Sequence, residues 1–384
     1  MIPEWRERFN RDFTRAKYQQ FLRELDRRSG THVNFRNCET PCFFPKQLLS
    51  KMVCYGKELI TQLLSNPEYL AASDRAVPPE YRVPNEDPRP LFVQADFGLD
   101  ADLQPKLVEI QGFPSLYAYQ PMQAQTYADV YGIDSALRYE FVDNYWPLLK
   151  KAVLGSHDPE NVILMEIDPE RQKTLPDFLL MRKCCGIRTV SVTDVKKKGN
   201  RLYYGGTPIH RIYNRVIVDE LQRKRIQPGF DWRDDLDVEW AGHPNWYFRI
   251  SKFSLPYLQH QSVPKSWFLS ALPSIPGDLE NYVLKPLYSF AGLGVVIGPT
   301  REQLDGVDKS QFILQEKVSF MPVIETPFGP TKAEVRVMYI WQDQLQAVTT
   351  IIRMGRGKMM GVDQNRDMEW VGASAGLFPA SCND

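Results

Sequence analysis

The sequence predicts an α/β (α+β) protein: N-terminal helices, a parallel α/β layer and a strand-rich C-terminal part. Three observations carry this. The chain has 384 residues, 43% of them hydrophobic, so it can bury a large core without disulfide or metal staples, and its length suggests two to three domains. Strand and helix patterns alternate between residues 162 and 192, the pattern of parallel strands joined by a crossover helix. From about Pro244 onward the periodicity is almost wholly that of strands.

Residues 4–28 read as one long charged helix that ends before Gly30. Trp5, Phe9, Phe13 and Ala16 share one stripe, whereas Tyr18, Leu22 and Leu25 lie on another, so the helix bends, breaks or serves two partners. Residues 45–64 form a further helix, and proline-rich 77–90 is a linker or boundary. Short strands follow at 91–97 and 106–111, then helices at 119–131 and 136–154. Next comes the unit of strand 162–167, helix 175–185 and strand 188–192, closed by a hairpin-like pair at 201–204 and 209–213. Strands at 282–285, 295–297, 312–318, 334–341 and 345–352 complete the chain. The pattern divides into a helical segment (1–87), a hairpin part (88–157), an α/β part (158–245) and a C-terminal lobe (246–384).

Lys and Arg total 47 and Asp and Glu total 47, a balance that argues against a protein built to bind nucleic acid or an anionic membrane. No apolar run approaches the roughly 18 residues of a bilayer span, and Met1-Ile2-Pro3-Glu4-Trp5-Arg6 opens no secretory segment. The spacings of the six cysteines and five histidines match no common metal pattern, so the cysteines read as free thiols in a reducing compartment. The expectation is a soluble, cytoplasmic protein with neither nucleic acid nor membrane as partner; nothing in the pattern sets an oligomeric state. Gly372-Ala373-Ser374-Ala375-Gly376 has the spacing of a hydrolase nucleophile elbow, but no histidine follows it, and a hydrolase is rejected.

Four stretches could carry chemistry. In Phe92-Val93-Gln94-Ala95-Asp96-Phe97 and Leu107-Val108-Glu109-Ile110-Gln111, a turn near Asp102 would set Asp96 opposite Glu109 and Gln94 opposite Gln111. Two facing carboxylates repel, and a divalent cation such as Mg²⁺ would remove that cost; splaying into solvent is the plain alternative. Lys285 ends a strand before the glycine-bearing turn Ser289-Phe290-Ala291-Gly292-Leu293-Gly294, where backbone N–H groups and a lysine could approach phosphates, although no P-loop spacing exists. Glu334 and Arg336 alternate on one face of a later strand, which a cross-strand ion pair would explain equally well, and Arg353-Met354-Gly355-Arg356-Gly357-Lys358 is a basic segment that could cover an anion or simply be a mobile loop.

Taken together, these pieces resemble the ATP-grasp ligases, in particular the circularly permuted branch that holds glutathionylspermidine synthetases and the eukaryotic type of glutathione synthetase. The order of the motifs carries the resemblance: the acidic hairpin precedes the lysine and the glycine-rich loop. Pro105-Lys106-Leu107-Val108-Glu109-Ile110-Gln111-Gly112-Phe113-Pro114-Ser115-Leu116 is similar to the branch's metal strand. The resemblance covers about residues 88–384, patchily between 160 and 245.

It implies Mg²⁺ at Asp96, Glu109 and Gln111. ATP would be held by Lys252, in Arg249-Ile250-Ser251-Lys252-Phe253, by Lys285, and by the loop residues Ser289, Ala291, Gly292 and Gly294. Leu314-Gln315-Glu316-Lys317-Val318 resembles the adenine hinge, with contacts from Gln315, Glu316 and the backbone of Val318, and Glu334 resembles an acid near the ribose or metal. Arg336 or Arg353 would stabilise an acyl phosphate, and Tyr213-Asn214-Arg215 resembles a substrate-side arginine region. The branch usually has asparagine where Gln111 stands and an acid where Ser289 or Phe290 stands. The implied activity is ATP- and Mg²⁺-dependent ligation of a small-molecule carboxylate to an amine, with peptides and polyamines among the candidates. The alternative is a nucleotide-binding protein without ligase activity; a third reading places metal ligands at Glu334, Asp363 and Asn365.

Overall fold

The computed structural model describes residues 1–289, 292–362, 365 and 367–380, apart from the side chain of Asp219. The long first helix is broken in two. Thr14 is extended, and its hydroxyl accepts from the N–H of Lys17, which starts α2 (Arg15–Ser29) behind α1 (Pro3–Asp12). Gly30 closes α2 in the left-handed conformation. The two stripes thus serve two partners: Phe9 packs with Phe43 and Trp370, whereas Phe21 and Leu25 pack with Tyr119 and Tyr127.

Helices α3 (Lys46–Leu64) and α4 (Pro67–Arg75) follow, joined across Ser65 and Asn66. Gly56 of α3 lies so close to Tyr339 that an added Cβ would meet its hydroxyl at 2.1 Å. The short strand Cys42–Phe43 pairs in parallel with Gly376 and Leu377 near the other end of the chain.

Strands β1 (Phe92–Leu99) and β2 (Pro105–Gln111) form the expected hairpin, with Asp96 opposite Glu109 and Gln94 opposite Gln111. Beyond Asp96 the register slips by one, so that Phe97 faces Leu107 and Val108 bulges. Helix α5 (Tyr119–Tyr131) is as read, but α6 spans only Tyr145–Leu154. Pro147 sits in its first turn, where a proline is tolerated, and the helix cannot extend far upstream of it. Leu137–Arg138 instead pairs with Phe378 and Pro379.

The α/β unit is a parallel sheet of β3 (Val162–Glu166), β4 (Arg188–Ser191), β5 (Arg211–Asn214) and β6 (Glu239–Ala241), in the order β6-β5-β3-β4, with α7 (Leu175–Cys185) as crossover. The expected pairing of 201–204 with 209–213 is corrected. Arg201–Tyr204 turns back through Gly205 and Gly206, both at positive φ, to pair with Thr207–Ile209, which frees β5 for the parallel sheet.

A small antiparallel sheet contains β7 (Ser266–Phe268), β8 (Tyr282–Pro286), β9 (Val296–Ile297) and β10 (Phe312–Glu316), in the order β7-β10-β8-β9. Two long strands, β11 (Thr331–Trp341) and β12 (Leu345–Gly355), and the short β13 (Gly372–Ser374) return to the hairpin. The resulting central sheet runs β13-β12-β11-β1-β2, all antiparallel. Both faces of β1 are buried, because α3 and its neighbours cover one side and the cleft residues the other. Among the described residues no helix is long and apolar enough to cross a membrane.

Candidate active site

A cleft of about 940 Å³ opens between the central sheet, the small antiparallel sheet and the carboxyl ends of β3 and β5. The phosphate-type and acidic motifs, far apart in the chain, meet here. Lys285 Nζ donates to the carbonyl of Val108 at 3.1 Å, next to Glu109. The β2 bulge leaves that carbonyl outside the sheet ladder, so a local irregularity of the hairpin fixes the lysine.

Strand register assembles the floor of the cleft. Arg336, Asp96 and Glu109 lie in one cross-strand row over β11, β1 and β2, and Arg353 faces Glu334 one step along β12 and β11. Asp96 is fully buried and gripped from two sides. Arg336 Nε and Nη2 reach its two oxygens at 2.6 Å each, and Arg353 Nη2 reaches Oδ2 at 2.5 Å. Arg353 also bonds Glu334 Oε1. Glu109 Oε2 pairs with Lys252 Nζ at 3.0 Å, and Oε1 accepts from Gln111 Nε2. Lys252 also donates to the Ser289 carbonyl at 2.6 Å.

These contacts shift ionisation. Burial lowers Lys285 from 10.5 to about 8, with Glu109 opposing and Lys252 adding to the effect. Burial would raise Glu109, but Lys252, Arg336 and Lys285 outweigh it and hold the carboxyl low. Burial raises Glu334 against the pull of Arg353, with Asp96 and Glu109 adding to the rise.

The other end of the cleft lies where parallel strands end, the usual place for ligands in open α/β sheets. Arg215 follows β5, and Glu166 is the last residue of β3. Arg215 is 3% exposed, and its guanidinium lies 5.0 Å from the Phe113 ring and 5.6 Å from that of Phe178. Its Nε and Nη1 have no hydrogen-bond partner among the described residues. Glu166 is equally buried and accepts from the N–H of Ile167 at 2.8 Å. Burial raises its carboxyl to about 8, with Arg215 opposing. Glu166, Lys173 and Glu220 line the cleft but escape sequence reasoning; a buried acid at the carboxyl end of a predicted parallel strand was the available signal for the first.

Of the expected residues, Glu109, Gln111, Lys252, Lys285, Gly292, Gln315, Glu316, Val318, Glu334, Arg336 and Arg353 line this cleft. Ser289 lines a small adjoining cavity. Gly294 is not in the lining, and its φ of 74° makes it a turn residue. Asp96 lies beneath the floor. Ala291 and Asp363 fall outside the described residues. Asn365 organises the loop after β12: its oxygen accepts from Arg356 and Gly357, and its amide donates to Met359 and Gly361. Ser374 is buried and donates to the Thr40 carbonyl, a structural contact.

The expected magnesium ligands do not fit a magnesium site as they are arranged. Both Asp96 oxygens are held by guanidinium N–H groups, Glu109 is shared by Lys252 and Gln111, and Gln111 presents its amide nitrogen to Glu109. Among the described residues no group of three or more His, Cys, Asp or Glu side chains could hold a metal ion. The repulsion expected between Asp96 and Glu109 is removed by the cationic side chains of the chain itself.

No family model matches the chain, and no curated protein matches it. Among solved structures, a glutathione synthetase like-effector from Globodera pallida, determined in its apo form, matches with a TM-score of 0.57 at 12% identity, over 94% of this chain and 97% of that one. At that identity the likeness shows a shared fold.

Proposed function

We propose that this cleft binds a nucleoside triphosphate and uses it to join a carboxylate to an amine, as ATP-grasp ligases of the circularly permuted order do. The observation that carries the reading is Lys285, a buried ammonium beside Lys252 and Glu109, in one cleft with Arg336, Arg353 and Arg215, whose Nε and Nη1 have no hydrogen-bond partner among the described residues. The fold shared with a glutathione synthetase like-effector supports it.

In this reading Lys285 and Lys252 take phosphate oxygens, and Arg336 and Arg353 offset the charge of the transferred group. ATP supplies the phosphoryl group that activates the acid as an acyl phosphate. Arg215 receives a carboxylate of the acid substrate, and Phe113 and Phe178 hold the guanidinium plane in place. Glu166, and Glu220 beside Lys224, offer carboxyl oxygens as hydrogen-bond acceptors to an ammonium, which makes amino acids, peptides and polyamines the substrates to try. Gln315, Glu316 and Val318 would border the base.

A second reading, nucleotide binding without ligation, is favoured by Ser289 or Phe290 standing where the ligases the sequence resembles usually carry an acid. The test is ADP release from ATP across a panel of amino acids, peptides and polyamines. Release that depends on an added acid and amine supports ligation; ATP binding with no release supports the second reading; no ATP binding refutes both.

A further inference from the structure

We infer that the phosphate end of this cleft is neutralised by the chain's own cations and binds a nucleoside polyphosphate without a divalent metal. The inference rests on the nucleotide reading above and deepens it.

The argument starts from the carboxylates. A magnesium ion needs oxygen donors with free lone pairs, and those nearest the expected site are Asp96, Glu109 and Glu334. Each is already engaged. Asp96 receives three guanidinium N–H contacts at 2.5–2.6 Å. Glu109 pairs with Lys252 at 3.0 Å and takes the amide of Gln111. Glu334 is bonded by Arg353. Handing Asp96 to a metal would strand two guanidinium groups that are themselves mostly buried, and breaking one side of a buried pair is strongly unfavourable.

The charge balance points the same way. Three carboxylates, Asp96, Glu109 and Glu334, face four cations, Arg336, Arg353, Lys252 and Lys285. Lys173, Arg215, Lys317, Lys332 and Lys358 line the same cleft against Glu166, Glu220, Glu280 and Glu316. A bound metal normally supplies the positive charge that a triphosphate needs; here the side chains already carry an excess. Donors are also left over. Arg353 Nε is buried without a hydrogen-bond partner among the described residues, and the Arg336 grip on Asp96 uses Nε and Nη2 but not Nη1. A planar guanidinium fixed on one side by a carboxylate is preorganised to take phosphate oxygens on the other.

The test is calorimetric titration of the full chain with ATP, once in EDTA and once in excess Mg²⁺. The expected result is binding in EDTA with an affinity that Mg²⁺ improves by less than tenfold. Binding that Mg²⁺ tightens tenfold or more overturns the inference and leaves the nucleotide reading standing. No binding in either buffer refutes the nucleotide reading itself, and the inference with it. The variant Glu109→Gln separates the two roles by sign. As a metal ligand, Glu109 would be needed for binding; as a counter-charge to Lys252, its loss frees a cation and tightens ATP binding in EDTA several-fold. Weaker binding by Glu109→Gln in both buffers, with its thermal midpoint unchanged, would overturn the inference.

Discussion

Replacing Lys285 with methionine should make the protein more stable at neutral pH while removing nucleotide binding. The magnitude follows from the burial of the ammonium. Its pKa falls from 10.5 to about 8 because the charged form is desolvated. At about 1.36 kcal/mol for each tenfold change in proton affinity, the charged lysine costs roughly 3 kcal/mol at pH 7. Losing the hydrogen bond to the Val108 carbonyl returns part of this, on the order of 1–2 kcal/mol, so Lys285→Met should be more stable by about 1–2 kcal/mol.

The pH dependence is the sharper test. Because the folded pKa is depressed, the unfolded chain binds more protons between about pH 8 and the unfolded lysine value of roughly 10.4, so wild-type stability rises with pH through that window. The variant lacks this rise, so its stability relative to wild type should fall by roughly 2 kcal/mol between pH 7 and pH 9.5, enough to cancel its advantage. Urea unfolding of both proteins at the two pH values, followed by tryptophan fluorescence, measures the difference. A stability difference that does not change with pH would refute the buried-ammonium account. A variant that is destabilised at pH 7 would make Lys285 a structural anchor for the bulge.

Three further outcomes are expected. Gly56→Ala should destabilise by about 1–3 kcal/mol, because its Cβ would meet the Tyr339 hydroxyl at 2.1 Å in a packed core; an unchanged thermal midpoint would contradict that packing. Glu166→Gln should gain on wild type as pH rises, since an acid raised from 4.5 to about 8 loses stability through that window. The gain between pH 5.5 and 8.5 should be roughly 3 kcal/mol, and parallel denaturation profiles would refute it. Arg215→Met should melt below the wild-type temperature at neutral pH, because the guanidinium offsets the desolvation of the buried Asp177 and Glu166 carboxyls; ADP release assayed well below the melting temperature should fall to background, and retained release would remove Arg215 from the substrate site.

The legible parts of this molecule were those governed by short-range rules. Strand alternation and a turn near Asp102 were enough to pair Asp96 with Glu109, because a two-residue period and one turn position determine a register. The slip at Val108 was invisible, since nothing in the residue types marks where a ladder skips. Pro147 could have shortened the helix read over 136–154, and Gly205-Gly206 could have exposed the tight turn after Tyr204. The arginine grip on Asp96 lay beyond sequence reasoning for a different reason: Arg336 and Arg353 are 240 and 257 residues away, and only the strand order brings them to β1. Glu166 was hidden because a single acid at a strand end looks like an ordinary exposed terminus until the strand is known to run in a buried parallel sheet.

The pattern of satisfied and unsatisfied groups bears on the ligand proposed for the cleft. Asp96, Glu109 and Glu334 are all neutralised by side chains of the chain. Among the described residues, the cations of the cleft with buried donors to spare are Arg215, through Nε and Nη1, and Arg353, through Nε, and Lys285 adds an ammonium whose desolvation an incoming anion would offset. Arg215 follows β5 and Arg353 lies on β12, so the one cleft offers donors to two anions. Phosphoryl transfer to a carboxylate poses that problem, since two anions that repel each other must be brought into line before any bond forms. Under the reading proposed above, Lys285 and Arg215, which line the same cleft, would each take one of the two anions, whereas nucleotide binding alone would not need Arg215.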